Sequence, residues 1–341
     1  MNVISIASRA PEAARAAVRL AWARSATGEP DLALERASSD AGFRTYWRAA
    51  TAGGSVIVMD SPPALEDVRP WLRMHAVLAA GGVRVPRVLA RDDEAGFVLM
   101  EDLGGRTWLQ AVDEVDPDAA FDAAVDQLLR LQALPPPAAL PAYDRALLQR
   151  ELDLFGEWYL GRHLGVELDP QERAGLERVH AVLVESALAQ PQVFVHRDFM
   201  PRNLMPADGG MAVLDFQDAV RGPVAYDPVS LVSDAFHSWE PGRVQDWLAR
   251  YYARARKAGV PVPELARFLR DVDLMGVQRH LKVLGIFARL DYRDGKPRYL
   301  ADAPRFLAYL QEVIPAYPEL APLGAILERY ASPEDNGPGA A

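Results

Sequence analysis

His196-Arg197-Asp198-Phe199-Met200-Pro201-Arg202-Asn203 is followed, twelve residues after the asparagine, by Asp215-Phe216-Gln217. Moving a γ-phosphoryl group requires a carboxylate that orients the attacking hydroxyl and accepts its proton, together with hard oxygen ligands for magnesium on the nucleotide phosphates. Asp198 is the expected catalytic residue, Asn203 and Asp215 are the expected metal ligands, and ATP and Mg2+ the expected cofactors. A structural aspartate at a strand end, or a turn-capping Asn203, would explain either residue alone. The joint spacing argues against both.

Two apolar runs must carry these residues. Val193-Phe194-Val195 reads as a short buried strand that delivers the loop, and Met211-Ala212-Val213-Leu214 as a second one ending at Asp215. The two strand ends are expected side by side, with Asn203 to Gly210 as the turn between them because Asp208-Gly209-Gly210 tolerates positive φ.

The segment matches the pattern H-R-D-x-x-x-x-N at every fixed position, and the later triplet departs from D-F-G only at Gln217. With so short a spacing between the motifs, the chain resembles the aminoglycoside phosphotransferase and choline kinase superfamily more than protein kinases. Further stretches are similar to the sugar kinases of cell-wall recycling, which phosphorylate N-acetylmuramate and N-acetylglucosamine at the anomeric hydroxyl. They are Val58 to Pro63, Leu214 to Val220, Gln278 to Val283 and Asp294 to Tyr299.

The resemblance implies an α+β, bilobal, protein-kinase-like fold with a small antiparallel-sheet N-lobe and a larger, mainly helical C-lobe. Residues 1–101 would form the nucleotide-binding lobe with a hinge at its end, 102–330 the catalytic and substrate-binding lobe, and 331–341 a polar tail. Along the first lobe the pattern predicts a helix over Pro11 to Ala26, strand character from Asp31 to Arg48, a strand over Ser55 to Asp60, a helix over Leu65 to Ala80, and strands over Val83 to Leu89 and Phe97 to Met100. In such a fold Ser38, Ser39 and Gly42 belong to the phosphate-covering loop, and Met100, Glu101 and Leu103 to the hinge that meets the adenine. An ordinary hairpin turn and a plain strand-to-helix connection are the simpler readings of these two segments.

One departure matters. A lysine is expected on the strand over Ser55 to Asp60, yet the only lysines are Lys257, Lys282 and Lys296. Arg44 or Arg48, with Glu66 or Asp67 as carboxylate partner, is the expected replacement in holding the nucleotide.

From Thr107 the chain reads as mostly helical, interrupted by the proline-rich run Leu134 to Pro141, with helices over Tyr143 to Leu164 and Pro170 to Leu188. Near the C-terminus Arg279, Lys282, Arg289 and Arg293 share one arc of a helix beside an apolar face. They are either solvated and paired with the many carboxylates or suited to an anionic acceptor such as the lactyl carboxylate of N-acetylmuramate. Asp218, Arg279, His280 and Arg289 are the expected acceptor contacts, and Asp227 resembles the buried aspartate that tethers the catalytic loop in the family.

Composition sets the outer bounds. In 341 residues, half of them hydrophobic, there is room for one large or two modest cores. No cysteine is present, which removes disulfides and thiolate metal sites, and a net charge of -10 argues against a general nucleic-acid role. No apolar run is long enough for a membrane span, so the expectation is a cytoplasmic enzyme with a small sugar as its partner. The rivals are a kinase of another acceptor, such as an aminoglycoside or an amino alcohol, and a silent nucleotide-binding protein.

Overall fold

The computed structural model describes residues 9–38 and 43–331. In chain order the elements begin with α1 (Arg9–Thr27), β1 (Glu35–Ser38), β2 (Thr45–Thr51), β3 (Gly54–Asp60), α2 (Arg69–Ala80), β4 (Val88–Asp92) and β5 (Phe97–Glu101). They continue through α3 (Pro117–Ala133), α4 (Arg145–Leu154), a π-helical stretch Phe155–His163, α5 (Pro170–Ala189) and β6 (Gln192–Val195). After β7 (Leu204–Ala207), β8 (Gly210–Val213) and β9 (Val220–Pro223) come α6 (Tyr226–Val232), α7 (Pro241–Lys257), α8 (Leu265–Tyr292), α9 (Ala303–Val313) and α10 (Ala321–Tyr330). The fold of the described residues is therefore mixed, with a five-stranded antiparallel sheet, two two-stranded antiparallel sheets and a mostly helical remainder. Contacts divide it into two units: Met1–Val115 with Leu204–Gln217, and Asp116–Asn203 with Asp218–Ala341. The expected tail beyond Ala331 lies outside the described residues.

The first unit is built on a five-stranded sheet in the order β1-β2-β3-β5-β4, antiparallel throughout. Ala23 of α1 joins Leu32, Ala49, Val58 and Leu99 in its core, with Leu20 and Trp22 packed against them. Arg15 and Arg19 of the same helix close on Asp60 at the end of β3, each at 2.7 Å, while their guanidinium groups lie over Phe97 at 4.0 Å and Trp47 at 3.7 Å. A carboxylate that is 1 % exposed thus meets two cations, whose own desolvation is offset by aromatic faces. Val83 to Leu89, expected as a strand, is extended chain without ladder pairing up to β4. Pro86 explains the shift, since it offers no N–H and constrains the residue before it.

Leu204 to Ala207, expected as part of a turn, is itself a strand. It pairs with β8 across Asp208-Gly209, where Gly209 takes φ +84°. This hairpin belongs to the first unit: Val213 N–H donates to the Arg84 carbonyl at 2.8 Å, and Trp108 N–H to the Leu204 carbonyl at 2.7 Å.

In the second unit α8 is the central element, 28 residues with buried side chains along most of its length. Gln278, Arg279, His280 and Lys282 are buried on it beside Val277 and Leu281. The helix expected over Tyr143 to Leu164 divides into α4 and the π-helical stretch, which contains Gly156 and Gly161. At the junction Leu154 comes so close to α8 that a Cβ on Gly285 would lie 2.4 Å from the Leu154 carbonyl carbon. Elsewhere Trp247 of α7 stacks on Phe121 of α3 at 4.4 Å, flanked by ion pairs of Arg250 and Arg254 with Asp118, Asp122 and Asp126. Those pairs are solvent-exposed and screened, so the aromatic stack carries that contact.

Candidate active site

The apolar side chains of β6, together with its pairing to β9, fix the start of the loop from His196 to Asn203. His196 is fully buried and Arg197 takes φ +75°, a conformation that costs a non-glycine residue about 1–2 kcal/mol. Asp227, in the first turn of α6, holds this bend. Its carboxylate is 0 % exposed and accepts the N–H of His196 at 2.7 Å and of Arg197 at 3.0 Å. Burial, the largest influence, pushes the Asp227 carboxyl up to about 7 against the pull of those two N–H groups.

Within the loop the Asp198 N–H donates to His196 Nδ1 at 3.2 Å, and the Asn203 side-chain amide donates to the Asp198 carbonyl at 2.9 Å. The second bond both closes the loop and leaves Asn203 Oδ1 as the atom to offer a hard cation. Arg202 lies 5.0 Å over the Phe236 ring.

Arg197 is braced from the side. Its guanidinium donates to Glu151 Oε1 at 2.5 Å, and the same carboxylate meets Lys282 Nζ at 3.1 Å, accepts from Gln278 at 3.3 Å and accepts the Tyr143 hydroxyl. Lys282 also donates to the Tyr226 hydroxyl at 3.0 Å. Burial opposes ionisation of Glu151, but Lys282 and Arg197 hold its carboxyl below the usual glutamate range. Sequence reasoning misses Glu151, Tyr143 and Gln278. A signal exists, because Glu151 falls on the apolar stripe of α4 beside Leu148 and Leu152, where an acid needs a partner.

Both strands expected to lead to the metal-ligand pair form, β6 before the loop of Asn203 and β8 before Asp215. β6 pairs with β9 and β8 with β7, so the strands belong to separate sheets. Asp198 and Asn203 fall in the second unit and Asp215 in the first. Asp215 is exposed with φ +62°, and Phe216 behind it is buried against Trp71 and His75 of α2 at 5.2 and 6.2 Å between rings. The phenyl anchor fixes the backbone from which the Asp215 carboxylate projects.

Among the expected nucleotide contacts, Ser39 and Gly42 lie outside the described residues, and Ser38 ends β1. Arg44 pairs with Glu66, Nε to Oε1 at 2.9 Å, whereas Arg48 is taken by Asp102 at 2.5 Å and by the Gly104 carbonyl at 2.7 Å. Met100 is buried in β5, Leu103 is half-buried, and Glu101 accepts the Arg87 N–H at 2.7 Å as well as the Arg84 and Arg87 side chains.

The expected acceptor contacts scatter by environment. Asp218 is exposed. Arg279 is 2 % exposed and donates to the Ser233 carbonyl at 3.1 Å. His280 is buried against Tyr309 at 5.0 Å, kept neutral by burial and then by Arg279, and neither ring nitrogen has a hydrogen-bond partner among the described residues. Arg289 is half-buried, and of its neighbours in the expected cationic arc Lys282 is paired with Glu151 and Arg293 with Asp294. The paired reading of the arc thus accounts for two of its four cations.

Among the described residues no three or more His, Cys, Asp or Glu side chains gather as a metal cage, and no helix is long and apolar enough to cross a membrane. An amide oxygen and a carboxylate are each hard donors of the kind magnesium takes beside water and substrate phosphates.

Comparison with known proteins follows the same lines. The model of a family described as phosphotransferase enzymes matches residues 33–269. The chain is similar to an N-acetylmuramate/N-acetylglucosamine kinase of Pseudomonas putida, 52 % identical over 299 residues that cover 87 % of this chain and 88 % of that protein. To the protein of the same name in Neisseria meningitidis serogroup B it is 45 % identical over 320 residues, 92 % of this chain and 95 % of the other. Among solved structures, a choline/ethanolamine kinase family protein of Mesorhizobium loti superposes with a TM-score of 0.60 at 15 % identity, covering 91 % of this chain and 99 % of that one.

Proposed function

The chain belongs to the phosphotransferase enzyme family and is a kinase, and from that premise we propose that it transfers the γ-phosphoryl group of ATP to the anomeric hydroxyl of N-acetylmuramate and N-acetylglucosamine. The observation that carries this reading is the name shared by relatives 45 and 52 % identical over most of both chains. The catalytic-loop geometry agrees with it.

Asp198 orients O1 of the sugar and accepts its proton as the oxygen attacks the γ-phosphorus in line. An anomeric hydroxyl is more acidic than an ordinary alcohol, so a modest base is sufficient, and positioning supplies most of the acceleration. The proton moves from O1 to the Asp198 carboxylate, the bond between the γ-phosphorus and its bridging oxygen breaks, and ADP leaves. Asn203 through Oδ1 and Asp215 through its carboxylate are the residues that would hold magnesium. Magnesium, when bound, neutralises charge on the β- and γ-phosphates. Arg44, held by Glu66, supplies the nucleotide-binding cation that β3 lacks, with Ser38 and the backbone of Met100, Glu101 and Leu103 serving phosphates and base. Asp218, Arg279, His280 and Arg289 remain the proposed acceptor contacts, with Arg289 best suited to the lactyl carboxylate.

A sugar panel tests the reading. ADP release that depends on N-acetylmuramate or N-acetylglucosamine, with phosphorus NMR placing the new ester at C1, is the expected result. Phosphate at another carbon, or release only with an amino alcohol or aminoglycoside, would overturn it. Asp198→Ala is expected to keep ATP binding and lose turnover.

A further inference from the structure

We infer that the buried Glu151 carboxylate, bridging Arg197 and Lys282, sets the catalytic loop in its working conformation, so that Lys282 on α8 is the lysine on which turnover depends. This rests on Asp198 being the catalytic residue. Glu151 and Lys282 are positioning residues, acting through the loop and not on substrate.

Three observations lead there. Arg197 adopts a conformation unfavourable for a side chain bearing Cβ, and its backbone is held through its bond to Asp227 and its neighbour's bond to the same carboxylate. Such a bend persists only where several contacts determine it. The guanidinium bond to Glu151 at 2.5 Å is the shortest of the contacts that hold the side chain, beside a bond to the Asp218 carbonyl at 3.4 Å and the Tyr143 ring at 5.7 Å.

Charge provides the second. Glu151 is 5 % exposed and meets two cations, Arg197 and Lys282, which would leave one uncompensated positive charge in a closed space. Asp198, the next residue after Arg197, supplies the second negative charge and acts electrostatically on both cations. The four groups are neutral as a set, and removing one member exposes its partners to the cost of an unbalanced buried charge.

The third is geometry. Glu151 belongs to α4, Lys282 and Gln278 to α8, Tyr226 to α6, and Tyr143 to the segment before α4. A single carboxylate therefore ties the loop to the central helix of its unit, while Tyr226 lies next to Asp227, the loop's other support.

The experiment uses the full chain and the variants Lys282→Met, Lys282→Arg, Glu151→Gln and the double change Glu151→Gln/Lys282→Met. With N-acetylglucosamine as acceptor, each loss-of-charge single variant is expected to lower kcat by about fiftyfold with the KM for ATP within about threefold of the parent. Lys282→Arg should recover about a tenth or more of parental kcat, and the double variant should lose less than the product of the singles. Amide hydrogen exchange over residues 196–203, without substrate, should be faster in Glu151→Gln and Lys282→Met. Parental kcat with unchanged exchange in both overturns the inference, as does a loss of activity explained wholly by a lower unfolding midpoint. The exchange measurement needs no acceptor, so if no sugar is phosphorylated the acceptor assignment fails while exchange still decides this inference.

Discussion

Asp227→Asn separates the stability of this protein from its turnover. The replacement keeps the shape and one acceptor oxygen but sets an NH2 group opposite one of the two N–H donors, His196 at 2.7 Å or Arg197 at 3.0 Å. One charge-assisted bond is lost, worth about 1.5–3 kcal/mol, and a buried N–H is left facing a donor. Together with the unfavourable φ of Arg197, a penalty of roughly 3 kcal/mol on the working loop lowers kcat by about a hundredfold.

The pH dependence of global stability changes as well. Burial raises the Asp227 carboxyl to about 7, so the folded protein binds this proton more tightly than the unfolded chain. The associated stability is fully present below the unfolded value near about 4 and is lost as pH rises through about 7, a span of roughly 4 kcal/mol. The substituted amide does not ionise, so the variant should gain stability relative to the parent between about pH 5 and about pH 8. Urea unfolding at both pH values, beside ADP release at saturating sugar, measures the two effects. A variant with kcat within about threefold of the parent, or a stability difference that does not change with pH, would refute the reasoning.

Three further outcomes are expected. Arg44→Ala should weaken ATP binding by about tenfold or more, as loss of a charged hydrogen-bond donor does, and unchanged affinity by nucleotide titration would remove Arg44 from the nucleotide site. Gly285→Ala forces a Cβ to within 2.4 Å of the Leu154 backbone and should cost about 3 kcal/mol, read as a lower urea midpoint. Burial lowers His180 to about 4, so the stability tied to its neutral form is present above about 6.5 and lost as pH falls through about 4. His180→Phe should flatten that acid slope, and an unchanged slope would show that other groups set it.

The loop from His196 to Asn203 is legible as a local element because its residue types and spacing form a recognisable pattern, to which Asp215 adds the later triplet. The strands carrying them are legible as apolar runs, but their pairing is not. β9 is Val-Arg-Gly-Pro and β7 contains Pro206, compositions that do not announce strands, and each becomes one through its neighbour. β4 begins later than its apolar pattern suggests because Pro86 interrupts the ladder. The brace of Glu151, Lys282 and Arg197 joins residues 46 or more positions apart, and no local period encodes that distance. By contrast the pair of Arg44 and Glu66 is one of four combinations that the sequence offers, since a missing lysine demands another cation in reach of an acid.

The hairpin of β7 and β8 leaves a further mark on how this chain comes into being. During synthesis the ribosome releases Met1–Val115 first, yet the polypeptide that completes that unit, Leu204–Gln217, emerges only after Asp116–Asn203. Until then the Arg84 carbonyl lacks the Val213 amide and the Trp71 ring lacks Phe216. The nascent first third is thus an unfinished product waiting on its downstream neighbour, and a gene cut after Val115 would yield a fragment short of its own closing piece.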